Sequence, residues 1–299
     1  MPFLVKKVRV VTHDGKFHAD DVFSVAVLDI LYRGQIKVIR TRAEKYFTKG
    51  DIVLDVGMKS DGDKYFDHHQ QGGAGERPNG IPYASFGLIW KKFGKALVSS
   101  DEVFKRFDRK MVQVIDADDN GKKIFTSTDP VTIRLYGIPE IIDAHNPLAA
   151  GEPSPSDYDR NFAVAVEFAK VCIKNELRKI EDTVKGETQA IQDWQRSDDQ
   201  RYVVLTSMRS FGEAFINKPQ VLYAISEREK GKWAVSALRL GPGDYTPRKP
   251  LPEAWAGKRD KELEQVTGVK GAVFCHRGRF MAATDSKDAA LALVKLALQ

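Results

Sequence analysis

Two short polar clusters constrain this chain more than any other feature: HDGKFHADD at 13–21 and FDHHQ at 66–70, which hold four of its six histidines. The first follows an apolar, strand-like run at Val8–Thr12 and precedes a helical pattern over residues 21–32. A strand–turn–helix of this kind places His13, His18 and Asp20 at the carboxyl edge of a parallel sheet, where ligands collect. Further strand patterns at 37–40 and 52–56, the second bounded by Gly50 and Gly57, continue a βαβ rhythm, and Asp55 closes the apolar run IVLD at the same kind of edge. Imidazole and carboxylate at these spacings suit a divalent ion such as manganese, iron, cobalt or zinc, whereas a thiolate site is excluded from these clusters.

The adjacent His68 and His69 need not point the same way. One can ligate metal while the other hydrogen-bonds a substrate oxygen, and Asp67 can ligate or orient the pair. Asp116 follows the apolar VQVI and is preferred as the remaining carboxylate, with Asp119 as its rival; Asn120 and Gly121 read as a turn. His145 has no acidic or histidine neighbour at ligand spacing and is read as a surface residue. No Walker lysine, dinucleotide fingerprint or G-x-S-x-G elbow accompanies the clusters, so nucleotide-driven energy coupling, hydride transfer and serine hydrolysis do not follow.

Residues 85–93 carry Phe86, Ile89, Trp90 and Phe93 at helical spacing, and Val103, Phe107, Met111, Val114 and Ile115 extend an amphipathic pattern towards Asp116. The segment AHNPLAAGEPSPSDYD at 144–159 breaks regular structure. Beyond it, Phe162, Ala165, Val166, Ala169, Ile173, Leu177 and Ile180 form one helical stripe, which predicts a long helix. Strand patterns return at 202–205, 221–225, 233–238 and 272–276, before a closing helix at 287–298. The expected division is a catalytic domain over 1–160, a helical connector over 161–199, and a substrate-binding, closing domain of α/β or α+β type over 200–299.

With 299 residues and 42% of them hydrophobic, the chain can bury real cores, so wholesale disorder is excluded. Its apolar runs fall far short of the roughly 20 residues that cross a bilayer, and no apolar stretch follows Lys6, Lys7 and Arg9, which argues against a membrane span or secretory signal. Cys172 and Cys275 are too few for a disulfide scaffold, and a reducing, cytoplasmic location is expected. The excess of 47 Lys plus Arg over 41 Asp plus Glu, net +6, favours polyanions without choosing among them.

At these motifs the sequence resembles the DHH phosphoesterase superfamily, through Asp67, His68 and His69, and more closely the melanocyte-proliferating-gene family of metal-dependent hydrolases. The resemblance runs through THDGKFHADD at 12–21, LDVG at 54–57, FDHHQ, ASFGLIWKKFG at 84–94, IDADDNG at 115–121, LPEAWAGKRDKEL at 251–263 and VFCHRGRF at 273–280. It implies a DHH-type parallel-sheet catalytic domain followed by a smaller closing domain. The implied metal set is His13, His18, Asp20, Asp55, Asp67, His69 and Asp116 or Asp119, with His68 near phosphate; the superfamily more often has aspartate where His18 stands. The implied cofactor is a pair of divalent ions, Mn²⁺ first, with Mg²⁺, Co²⁺ or Zn²⁺ as substitutes. Two ions roughly 3.5–4 Å apart could activate a bridging water for attack on phosphorus.

The implied activity is 3'-to-5' exonucleolytic cleavage of single-stranded RNA or short oligonucleotides. Small phosphoesters, cyclic dinucleotides or pyrophosphate are the alternative substrates, and a catalytically inactive nucleic-acid-binding regulator is a third reading. No membrane partner is expected, and a homodimer is allowed. In the carboxyl-terminal part, Arg248, Arg277 and Arg279 could grip phosphates and His276 could orient one, while Tyr245 and Trp255 could stack bases, Trp255 being equally suited to a core.

Overall fold

The structure is a computed structural model describing residues 7–126, 135–229, 231–241 and 243–299. Lys6 and Pro242 of the RLGPGDYTPRK segment lie outside the described residues. The chain packs as two compact units that divide at residues 180 and 181.

Unit 1 is built on a four-stranded parallel sheet, β1 (Val8–Thr12), β2 (Ile36–Arg40), β3 (Ile52–Leu54) and β4 (Tyr65–Phe66), in the order β2-β1-β3-β4. Val10 is in register with Val38 on one side and Ile52 on the other, and Leu54 with Phe66. All strands run the same way, so His13, Asp55 and Asp67, each the first residue past its strand, emerge at one edge. The chain leaves β1 towards β2 on one side, and β3 lies on the other, which opens a crevice at that edge between the ends of β1 and β3.

Helix α1 (Ala19–Leu31) begins at this edge, with Asp20 and Asp21 in its first turn, where the helix dipole favours negative charge. Every residue from Ala19 to Leu28 is buried, because the sheet lies against one side and α2 (Ser85–Phe93) against another; Phe23 and Phe86 meet at 5.5 Å between ring centroids. Helices α3 (Asp101–Phe107) and α4 (Gln113–Asp119) follow, joined by a π turn, Asp108–Val112. Trp90, fully buried, packs on Phe107. This realises the amphipathic pattern read over 85–115 and carries Asp116 and Asp119 towards the sheet edge.

Helix α5 (Ile138–Asp143) precedes the proline-rich segment, and α6 (Pro155–Gln195) is a 41-residue helix running through the boundary between the units. Unit 2 carries β5 (Tyr202–Val204), β6 (Tyr223–Glu229), β7 (Lys232–Ala237), β8 (Ala272–Cys275) and β9 (Met281–Thr284) in the order β5-β6-β7-β9-β8, antiparallel except for β5 with β6. Helices α7 (Asp260–Thr267) and α8 (Lys287–Ala297) bury Leu263, Leu293 and Val294 against Ile225, Val235 and Ala282 on one sheet face. Trp255 belongs to this core. The architecture is thus α/β, a parallel sheet followed by helices and a second sheet. No helix among the described residues is long and apolar enough to cross a membrane.

Candidate metal centre

At the carboxyl edge of the unit 1 sheet, three groups of donors each converge within 4.8 Å: His13, His18 and Asp55; Asp55, His68 and His69; and His18, Asp20 and Asp119. Asp55 belongs to two of them, and so does His18. Asp55 sits at φ +53°, in the left-handed region that non-glycine residues avoid, and the bend turns its side chain back over the strand end. There it lies 3.2 Å from His13 Nε2 and 3.3 Å from His68 Nε2, and the Ser85 hydroxyl donates to it at 3.1 Å. These cationic and donor neighbours outweigh its burial and hold the Asp55 carboxyl far below the ordinary value.

Asp20 has the opposite surroundings. It is fully buried, and neither carboxylate oxygen has a hydrogen-bond partner. Burial first, then the charges of Asp55, Asp119, Asp21 and Asp116, push its pKa well above the ordinary carboxylate value. A carboxylate desolvated among other carboxylates is costly unless a cation neutralises it. The two imidazoles that face the cluster most closely respond accordingly: burial alone would lower them, but Asp21 and Asp55 push His13, and Asp119 and Asp55 push His68, up to about 10. In both cases the ring nitrogen lies between two carboxylates, a position where a divalent ion would find donors from both sides. Orphaned buried oxygens and a donor set of imidazole and carboxylate both fit a hard-to-intermediate divalent cation.

The expected allocation gives His69 to metal and His68 to substrate; the structure places both beside Asp55 in one donor group, with different exposure. His68 is buried, its Nε2 2.9 Å from Asp119 and 3.8 Å from Asp20, whereas the His69 side chain is 54% exposed. Asp67 is expected among the ligands but falls in none of the three groups. Its oxygens accept from the main-chain N–H groups of Met58 (2.6 Å), His68 (2.8 Å) and His69 (3.2 Å), and contact His69 Nδ1 at 2.8 Å. It therefore orients the pair.

The preference for Asp116 over Asp119 also meets a different arrangement. Asp116 pairs with buried Arg77 at 2.8 Å and accepts from Gly87 N at 2.9 Å, while Asp119, one helical turn on, reaches His68 and joins His18 and Asp20. Burial pushes Asp116 up to about 7 against the pull of Arg77. The approach to α2 requires glycine: a Cβ on Gly87 would lie 1.9 Å from Asp116 Oδ2.

Several supporting residues escaped the sequence reading. Asp21, fully buried, accepts from His18 N at 3.0 Å and lies 3.3 Å from His13 Nε2, so it ties both ends of the 13–18 loop. The signal was present: an acid three residues after a helix N-cap is the reciprocal half of a capping box. Asn146, inside the proline-rich segment, donates to Phe17 O (2.9 Å) and accepts from Phe17 N (3.0 Å), and Arg40 donates to Gly15 O (2.6 Å) with its guanidinium over Phe162. The segment read as a break thus clamps the metal loop. His145, expected at the surface, is partly buried, with Nδ1 2.8 Å from Ile141 O. These contacts, 129 residues apart for Asn146 and Phe17, leave no local trace in the sequence.

In unit 2, Arg248 is expected to grip phosphate, but its guanidinium donates to the carbonyls of Arg239, Lys218, Val221 and Phe215 at 2.7–2.9 Å. It fastens chain segments together. HRGRF forms the turn between β8 and β9, with Arg279 at φ +57° and Arg277 exposed; His276 Nδ1 accepts from Gly278 N at 3.0 Å. Tyr245 is exposed beneath the Arg239 guanidinium, 4.4 Å from the ring centroid.

A parallel sheet that gathers histidine and aspartate at one carboxyl edge, with an uncompensated buried carboxylate among them, defines an α/β protein with the capacity to bind divalent metal. Comparison with known proteins is specific: residues 9–298 match the family MYG1_exonuc, described as Uncharacterised protein family (UPF0160), and the chain belongs to that family. It is 28% identical to a MYG1 protein of Saccharomyces cerevisiae over 326 residues, 97% of this chain and 95% of the relative. A MYG1 protein of Chlamydia trachomatis is 28% identical over 96% of each chain. The MYG1 exonuclease of Homo sapiens is 25% identical over 97% of this chain and 85% of the relative.

Proposed function

We propose that this chain is a metal-dependent phosphodiesterase of DHH type that removes nucleotides from the 3' end of single-stranded RNA or short oligonucleotides. One observation carries the reading: Asp20, fully buried with both oxygens unpartnered, converges with His18 and Asp119, and His18 in turn converges with His13 and Asp55. The exonuclease names of its mammalian relatives support exonucleolytic action, and the RNA substrate and the 3'-to-5' polarity follow from the family resemblance alone. His13, His18, Asp20, Asp55, His68, His69 and Asp119 would hold two divalent ions, Mn²⁺ first, with Asp55 common to two of the donor groups. Such ions, when bound, polarise the phosphoryl group and lower the pKa of water.

The protein's own residues do the rest. Asp67 fixes His69 through Nδ1 and raises its pKa. Asp21 and Ser85 hold His13 and Asp55 in place. Within unit 2, Arg277, exposed on the turn between β8 and β9, is the candidate phosphate grip.

The test is a time course on 5'-labelled RNA with chelator-treated full-length protein. Stepwise shortening that depends on restored Mn²⁺ and stops at a blocked 3' end is expected. Internal first cuts, or indifference to the block, would reject the exonuclease. Inert RNA with rapid hydrolysis of pyrophosphate or a cyclic dinucleotide would replace it with a small-substrate enzyme.

A further inference from the structure

The metal cluster opens into a cleft of about 710 Å³ whose other walls take no part in holding metal. Phe47, Tyr65 and Met58 form an apolar side, and Arg42 and Lys59 bring two cations to it; among the described residues, the acids lining the cleft besides Asp55 are Glu44 and Asp67. Lys59 Nζ lies 3.8 Å from the Tyr65 ring centroid, and its charge also acts on the exposed Asp61 carboxylate. Arg42 is 65% exposed, 3.4 Å from Asp14 and 3.3 Å from His13 Nδ1, beside the donors themselves.

Met58 is the unexplained member. Its backbone is left-handed, φ +56°, close behind Asp55 and Gly57, which are also left-handed, and its side chain is 62% exposed. The strain at Asp55 aims a donor. Nothing comparable accounts for Met58, because its one contact with the site is the main-chain N–H to Asp67, which glycine would supply without strain. What methionine adds is a soft, adaptable apolar surface held out over the cleft.

Resting on the phosphodiesterase reading, we infer that this cleft is a subsite for one nucleoside monophosphate unit of the substrate, its base packed against Met58 and Tyr65 and its phosphate met by Arg42 and Lys59. A flat apolar ring joined to an anion matches an apolar wall edged by cations, and the metal cluster at the cleft's end fixes where the scissile phosphate lies. A phosphoester without a base would leave Met58 uncovered.

Two chromogenic esters with the same leaving group separate the claims: thymidine 5'-(p-nitrophenyl phosphate) and methyl p-nitrophenyl phosphate, each with Mn²⁺. The wild-type protein should prefer the nucleoside ester in kcat/KM, and Met58→Gly should reduce that preference by about tenfold, the loss expected from uncovering part of a methionine side chain. Thermal midpoint and bound Mn²⁺ serve as controls for folding and loading. Lys59→Gln should raise KM for the nucleoside ester. An unchanged preference in Met58→Gly overturns the subsite while leaving the phosphodiesterase standing. If neither ester is hydrolysed, the phosphodiesterase reading fails and calorimetry with adenosine 5'-monophosphate on the Mn²⁺-loaded protein decides the subsite: about tenfold weaker binding by Met58→Gly supports it, and equal affinity or no binding overturns it.

Discussion

Replacing Asp20 by Asn should stabilise the metal-free protein and abolish its response to metal. In the wild-type fold the carboxylate is fully buried, has no hydrogen-bond donor, and faces Asp55, Asp119, Asp21 and Asp116. The sign follows from its raised pKa. A carboxyl that holds its proton more tightly when folded favours the fold below the unfolded value, about 3.8, and loses that contribution as pH rises through the folded value. At neutral pH the metal-free fold therefore bears the cost. An uncompensated buried polar group costs about 1–3 kcal/mol, which asparagine, neutral and able to donate to the neighbouring carboxylates, largely relieves.

For a unit of this size each kcal/mol moves the midpoint by about 2–4 °C, so Asp20→Asn should melt about 2–10 °C above wild type in chelator. Saturating Mn²⁺ at a hundred times its dissociation constant should add about 2.7 kcal/mol to the wild type and little to the variant, closing or reversing the difference. Differential scanning fluorimetry with chelator or Mn²⁺, paired with metal content by mass spectrometry, reads both effects. A variant that melts below wild type in chelator, or that gains as much from Mn²⁺, would refute the argument that Asp20 is a buried charge awaiting a cation.

Asp119→Asn should remove bound metal with little loss of stability. Asp116→Asn should keep metal stoichiometry yet cost about 1–3 kcal/mol in chemical denaturation, because Arg77 loses its closest counter-charge and is left with Asp108. Asn146→Ala should lower metal affinity, read by competition with a fluorescent chelator, since two main-chain hydrogen bonds to Phe17 are lost and the 13–18 loop loosens; unaltered affinity would make Asn146 purely structural. His13 and His68, held at about 10 by their carboxylates, favour the fold below the unfolded value of about 6.5 and lose that contribution as pH rises through about 10. Bound metal must displace their protons, so Mn²⁺ affinity should rise steadily from pH 6 to 9, with proton release visible in calorimetry across buffers of different ionisation enthalpy. A flat profile would exclude both imidazoles as ligands.

The elements of the fold were legible wherever hydrophobic period and chain direction coincide. Val8–Thr12, the helix that follows HADD, the stripe through α6, and the strands of unit 2 each bury one pattern against one neighbour, and a pattern of that kind is written locally. The two-residue β4 carries too little pattern to read, and β9, Met281–Thr284, is a run of small residues recognisable only beside its partners.

The histidines and aspartates of the site were likewise marked by their place at strand ends, since a parallel sheet delivers such residues to one edge whatever the loops do. Their division of labour was not. Which carboxylates His68 and His69 each face, whether Asp116 or Asp119 reaches them, and whether Arg248 is free to hold an anion depend on what lies opposite each side chain: Asp119 and Asp67, Arg77, and the carbonyls of a loop some thirty residues away. Adjacent residues share a position in the sequence but diverge in direction, and a helical turn is enough to exchange one partner for another. Composition and spacing select the kinds of groups that gather; burial and the charge of distant neighbours set which of them binds, which orients and which only holds the chain together.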